Sequence, residues 1–119
     1  MFPLRSELPG IIQIEVTSRC NLSCPACPRS VPELKSKWIG EELPMELFKK
    51  VVAETAVIGR SYHLQGWGEP LLRRDLPDLV RMISERGAKA SITTNGTLLT
   101  RALALQLIEA GLASITFSL

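Results

Sequence analysis

Apolar and polar positions along the chain fall into short strand-like runs separated by stretches with helical spacing. In Ile11-Ile12-Gln13-Ile14-Glu15-Val16-Thr17 the β-branched residues partly alternate with polar ones, and Ile12, Ile14 and Val16 share one face, which predicts a strand. Pro9-Gly10 breaks whatever precedes it. Met45, Phe48, Val51 and Val52 repeat at helical spacing. This predicts a helix from Pro44, a residue suited to the first helical position, to about Ile58, with Gly59 as the stop. Tyr62-His63-Leu64-Gln65 reads as a second strand. Asp75 is placed to cap a helix carrying Leu76, Leu79, Val80 and Ile83, closed by Gly87. Lys89-Ala90-Ser91-Ile92-Thr93 is a third strand, closed by Thr94-Asn95-Gly96. Thr100 is placed to cap a helix with Leu103, Leu107 and Ile108, and Gly111 stops it. Residues 113–119 form a fourth strand, while residues 28–43 read as an irregular connection with a short turn.

The resulting order is β-α-β-α-β-α-β, an α/β class whose alternation predicts parallel strands joined by right-handed helical crossovers. The later strands begin near residues 62, 89 and 113, a spacing of about 25 residues that suits the units of a TIM-like (β/α) barrel. Parallel sheets carry their sites at the carboxyl ends of the strands. The chemically notable stretches follow that rule. A cysteine cluster follows strand one and Gly66-Trp67-Gly68-Glu69-Pro70 follows strand two. Thr94-Asn95-Gly96 follows strand three, and Ser118 lies late in strand four.

Composition narrows the reading further. With 119 residues, 45% hydrophobic and 22% charged, the chain can build a core and is not of disordered type. A net charge of +2 is too small to argue for nucleic acid, and Arg73-Arg74 reads as a solvated turn. No stretch approaches the roughly 20 apolar residues of a membrane span. Met1-Phe2-Pro3-Leu4-Arg5 lacks the layout of a signal peptide. Three cysteines in one loop are a poor disulfide framework and suit a reducing, cytoplasmic compartment. One histidine, His63, in a strand leaves no Ser-His-Asp arrangement, and no Gly-x4-Gly-Lys-Ser/Thr loop occurs.

Cys20, Cys24 and Cys27 are spaced Cys-x3-Cys-x2-Cys directly after the first strand. Three thiolates packed this closely can hold a metal centre, one ligand short of a closed all-cysteine site, so an iron–sulfur cubane held this way keeps one iron open. This spacing resembles the radical S-adenosylmethionine (SAM) superfamily. The resemblance implies that the three cysteines hold a [4Fe-4S] cluster and that SAM chelates the fourth iron. It implies reductive cleavage of SAM to a 5'-deoxyadenosyl radical that abstracts hydrogen, with the electron coming from a donor such as flavodoxin or ferredoxin. Gly66-Trp67-Gly68-Glu69-Pro70 is similar to the family's Gly-Gly-Glu-Pro element, which contacts the SAM amino group; Trp67 departs from it, and Gly66, Gly68, Glu69 and Pro70 keep a Gly-x-Gly-Glu-Pro variant. Thr94, Asn95 and Ser118 match positions near SAM in the third and fourth strands. Ala26 departs from the aromatic residue usual before the third cysteine.

The resemblance further implies that residues 1–119 form the amino-terminal part of a radical SAM core, half of a (β/α)6 barrel. Such a half would expose a strand edge and an apolar inner face, and would aggregate or hold its cluster weakly. Cys27-Pro28-Arg29-Ser30 is similar to the subgroup that modifies peptides or proteins and often carries extra clusters in an appended domain. A small-molecule substrate, as in the molybdenum-cofactor branch, stays open. So does a non-catalytic zinc or iron–sulfur module in which His63 completes a Cys3His site. Arg29 and Trp38 are read as surface cover of the cysteine loop, His63 as an ordinary packed histidine, and Trp67 as packing at the pocket edge.

Overall fold

A computed structural model describes residues 10–118 of the chain. Pro9 and Leu119, at the two ends of the expected elements, lie outside the described residues. Four strands, β1 (Ile11–Gln13), β2 (Ser61–His63), β3 (Lys89–Thr94) and β4 (Leu112–Phe117), form one parallel sheet in the order β1-β2-β3-β4. Each strand lies beside its neighbour in sequence. A doubly wound sheet reverses direction at a switch point; consecutive winding is that of a section of a (β/α) barrel.

Side-chain alternation divides the sheet into two chemically distinct faces. Ile12, Tyr62, Ala90 and Leu112 form one register row, and Ile14, Leu64, Ile92 and Ile115 continue that face. The helices α2 (Met45–Thr55), α3 (Leu76–Ser84) and α4 (Arg101–Glu109) cover it. Phe48 and Val52 from α2, Leu76, Leu79, Val80 and Ile83 from α3, Leu107 from α4 and Ala110 at its C-cap are buried with it in one cluster. Each fully buried aliphatic side chain there contributes about 1.5–3 kcal/mol. The opposite face is polar. One row crosses all four strands as Gln13, His63, Ser91 and Ser114, and Thr93 pairs with Thr116 in the next. Among the described residues this face is polar where an open half-barrel was expected to be apolar, apart from the exposed Ile11 in register with Ser61 and Lys89. Exposed apolar side chains elsewhere include Leu105 and Ile108 on α4 and Phe117 at the end of β4.

Several boundaries differ from the sequence expectation, each for a long-range reason. β1 ends at Gln13, although Ile14 N–H still donates to the His63 carbonyl at 2.9 Å. Beyond it the chain turns to a different partner. Leu43 N–H donates to Val16 O, Ser18 N–H donates to Glu41 O, and Thr17 bridges antiparallel to Glu42. The connection after the cysteines thus folds back on residues 16–18. It contains a 3-10 turn at Pro28–Ser30 and a short helix α1 (Pro32–Lys35). Pro44 sits at the N-cap, one residue before its expected place, and α2 stops at Thr55 instead of near Ile58. Thr55 hydrogen-bonds the Tyr62 hydroxyl at 2.7 Å, and a Cβ at Gly59 would collide with that tyrosine ring. Thr100 caps α4 as expected, accepting from Leu103 N–H at 3.1 Å.

The largest departure concerns Arg73, expected in a solvated turn. Its side chain is 3% exposed. It donates to the carbonyls of Val16 (2.8 Å) and Leu43 (2.5 Å) and forks onto Asp75 at 2.6 and 3.1 Å. Asp75 consequently makes no side-chain cap to α3; its carboxylate is taken by the guanidinium. Hydrogen bonding from Arg73 holds the Asp75 carboxyl below its ordinary value, against the opposing effect of burial. The fork spans from the α3 entrance to both edges of the cysteine loop.

Arg73→Met should destabilise the chain by about 1–3 kcal/mol, chiefly through the Leu43 carbonyl, since Val16 O keeps its bond from Leu43 N–H, read as a lowered urea midpoint. Because the folded pKa of Asp75 is depressed, the stabilisation from its pair is full above the ordinary aspartate pKa and is lost as pH falls through the lowered value. Asp75→Asn should flatten that acid limb in a pH series of urea midpoints.

Candidate cofactor site

Three loops meet at the carboxyl edge of the sheet, and one carboxylate joins them. Glu69, 2% exposed, accepts from Leu71 N–H (3.0 Å) and the Thr94 hydroxyl (2.6 Å) at Oε1, and from Asn95 N–H (2.8 Å) at Oε2. Its own N–H donates to the Arg19 carbonyl at 2.7 Å, immediately before Cys20. Glu69 thus orders the turn from within. Thr94 is buried behind it, accepting from Gly96 N–H at 3.0 Å while it donates to Glu69.

The glycine turn is held from a residue that sequence reading missed. Glu15 Oε1 accepts from Trp67 N–H (2.6 Å) and Gly68 N–H (3.2 Å). A Cβ at Gly66 would meet this flexible carboxylate, whereas a Cβ at Gly68 would fall on the backbone carbonyl of Thr17. Gly68 is therefore required by close approach of two backbones, the use of glycine that needs no positive φ. Gly96 is required by its φ of 77°. Pro70 is buried and opens a 3-10 turn. Trp67, expected against the pocket edge, is 55% exposed.

The cysteine loop is tied to the turn after β3. Asn95 Nδ2 donates to Asn21 Oδ1 at 3.0 Å and lies 4.0 Å from Cys20 Sγ, while Asn21 Nδ2 donates to Thr97 Oγ1 at 2.9 Å. Cys20 and Cys27 are half-buried and Cys24 is exposed; all three are free thiols. Cys27 N–H donates to the Cys24 carbonyl at 3.0 Å, which curls the loop. No three His, Cys, Asp or Glu side chains among the described residues are gathered for a single metal ion, and His63 is not brought to the cysteines. A cubane gives each thiolate a different iron, so its ligands stand further apart than those of one tetrahedral ion.

The other expected residues are placed as follows. His63 is half-buried in the polar row, beside Ser61, Lys89 and Ser91 in a cavity of about 370 Å³. Ser118 is exposed just past β4, its N–H donating to the Thr94 carbonyl at 2.9 Å. Trp38 donates its indole N–H to the Ser18 carbonyl at 3.0 Å and lies under the Arg29 guanidinium, 5.7 Å from the ring centre. Both cover the cysteine loop as expected, and with Arg19, Cys20 and Lys35 they line a cavity of about 310 Å³. Arg29 Nε is buried there without a partner.

With this geometry in place, comparison with known proteins is direct. The radical SAM superfamily profile matches residues 14–119. The chain is 38% identical over 112 residues to the PqqA peptide cyclase of Bradyrhizobium diazoefficiens, covering 93% of this chain and 28% of that protein. It is 40% identical over 114 residues to the GTP 3',8-cyclase of Acidothermus cellulolyticus, covering 91% of this chain and 31% of that one. The crystal structure of BtrN in complex with AdoMet and 2-DOIA superposes with a TM-score of 0.80 at 32% identity, over 92% of this chain and 45% of BtrN. The chain belongs to the radical SAM superfamily. That family is generally dependent on a [4Fe-4S] cluster and SAM. The chain spans less than a third of the length of these two curated relatives. No helix among the described residues is long and apolar enough to cross a membrane.

Gly68→Ala should destabilise the chain by about 1–3 kcal/mol, since two backbones must separate. Gly66→Ala should have the smaller effect, because Glu15 can swing aside. Glu69→Gln should also lower the urea midpoint, by about 1–3 kcal/mol, because one carboxylate oxygen becomes a donor facing a buried donor.

Proposed function

We propose that residues 1–119 are the amino-terminal part of a radical SAM enzyme core, the part that binds its cluster and SAM. Cys20, Cys24 and Cys27 hold the [4Fe-4S] cluster. Gly66, Gly68 and Pro70 shape a backbone wall for the SAM amino group, with Glu69 fixing that wall from behind. Thr94 and Asn95 position the adjoining turn, and the exposed Ser118 offers a hydroxyl to SAM. When bound, the cluster and SAM together supply a 5'-deoxyadenosyl radical for hydrogen abstraction. The chain's own task is to hold the three loops in one arrangement.

The observation that carries this reading is the Glu69 clasp. It links the backbone ahead of Cys20, the glycine turn and the Thr94-Asn95 turn, the three stretches that carry the family's motifs. A peptide or protein substrate is the first reading, supported by likeness to PqqA peptide cyclase. A small-molecule substrate is the second, supported by likeness to GTP 3',8-cyclase. An electron donor of flavodoxin or ferredoxin type and a cytoplasmic setting complete the proposal, both suited to free thiols.

Anaerobic reconstitution with iron and sulfide should give a brown chromophore with iron and sulfide in the ratio of one [4Fe-4S] cluster per chain. Alanine at Cys20, Cys24 or Cys27 should abolish it. SAM should perturb the electron paramagnetic resonance (EPR) spectrum of the reduced cluster, and reductant plus SAM should yield 5'-deoxyadenosine. Stoichiometric zinc with no chromophore would overturn the proposal.

A further inference from the structure

Asn95 stands next to the cysteine loop in an arrangement that leaves its carboxamide no freedom of orientation. Its Oδ1 accepts twice from Thr97, from the backbone N–H at 2.9 Å and the hydroxyl at 2.7 Å. Thr97 Oγ1 in turn accepts from Asn21 Nδ2 at 2.9 Å, and Asn21 Oδ1 accepts from Asn95 Nδ2 at 3.0 Å. The three side chains close a ring in which each gives and accepts a hydrogen bond. An amide flipped at Asn95 would set its NH2 against the Thr97 backbone N–H, a fixed donor, and one flipped at Asn21 would oppose its NH2 to that of Asn95. The ring therefore fixes which end of Asn95 faces the cysteine loop, and that end is the NH2 group. One of its hydrogens is used by Asn21. The other is left for Cys20, whose sulfur lies 4.0 Å from Nδ2.

Its backbone is fixed as well. Asn95 N–H is held by Glu69 at 2.8 Å, and the following Gly96 takes a left-handed φ of 77°. Of the three cysteines, Cys20 is the one that receives a side-chain hydrogen bond among the described residues.

We propose that Asn95 is a positioning residue for the cluster that donates a carboxamide N–H to the Cys20 thiolate and raises the cluster's reduction potential. The inference rests on the reading of Cys20 as a cluster ligand. An N–H directed at a ligating sulfur draws negative charge from it. The reduced cluster carries one more negative charge than the oxidised one, so the donor stabilises the reduced form more. The ring also limits where Cys20 can go, because Asn21, its neighbour in sequence, is held at both ends of its carboxamide. Asn95 thereby serves the cluster by its side chain and the Glu69 clasp by its backbone.

The test uses the full chain, reconstituted anaerobically and titrated potentiometrically, with the EPR signal of the reduced cluster as readout. Asn95→Ala and Asn95→Asp should keep iron and sulfide content while the midpoint moves to lower potential, further for the aspartate, which adds charge. Thr97→Val leaves the NH2 in place and should shift the midpoint less than either. The chain has two asparagines, Asn21 and Asn95. In the Asn21→Asp variant the new carboxylate still accepts from Asn95 Nδ2 and Thr97 N–H still holds Asn95 Oδ1, so with 15N-asparagine labelling pulsed EPR should detect a 15N coupling from Asn95 to the reduced cluster. This second readout needs no change at Asn95, so it decides the matter even where the Asn95 variants lose iron. Unchanged midpoints in iron-replete Asn95 variants, or no 15N coupling, would overturn the inference and leave the cluster reading intact. A wild-type chain that takes up no iron would overturn both.

Discussion

A buried carboxylate that must find hydrogen-bond donors is the constraint on which this edge of the molecule depends. Glu69 sits almost without solvent, and a buried polar group is tolerated only when its oxygens are hydrogen-bonded. Its donors come from the turn it belongs to and from the turn after β3, while its backbone N–H reaches the loop after β1. None of these loops can shift independently without leaving a polar group unpaired. The arrangement rigidifies a region that would otherwise consist of glycine, asparagine and threonine turns with little apolar packing. The rigidity is supplied from beneath, by a residue that is itself almost fully buried.

Much of this was legible in the chain because it is local. The β-α alternation, the Thr100 cap and the glycine stops after α3 and α4 each depend on a few adjacent residues and appear where periodicity places them. The cysteine spacing and the Gly-x-Gly-Glu-Pro run were legible for the same reason. What escaped sequence reading is long-range. Arg73 looks like any arginine in a basic pair, and only the folded chain brings the carbonyls of Val16 and Leu43 to it. Asp75 occupies a capping position yet loses its carboxylate to a stronger partner two residues away. Glu15 occupies a polar slot in a strand pattern, and nothing local indicates that it holds the glycine turn. Asn21 carried one available signal, its place directly after Cys20.

The likenesses to known proteins fit this division. Identity near 38–40% extends over more than nine-tenths of the chain for relatives whose names describe different reactions. A framework of helices on one face, strand-end loops on an edge and a clasp between them can be common to such proteins while the substrates differ. Membership in the superfamily accordingly follows from the framework, whereas the identity of the substrate does not.

The row Gln13, His63, Ser91 and Ser114 runs across the sheet on the side away from the helices. Its side chains contribute hydrogen-bonding capacity without contributing to the apolar interior. Exchanges among small polar residues there leave the packed layer intact and fall in the range of surface substitutions, within about 0.5 kcal/mol. The hydrogen-bonding row and the packed layer thus lie on opposite sides of the same strands, so a polar exchange on one side leaves the packing on the other untouched.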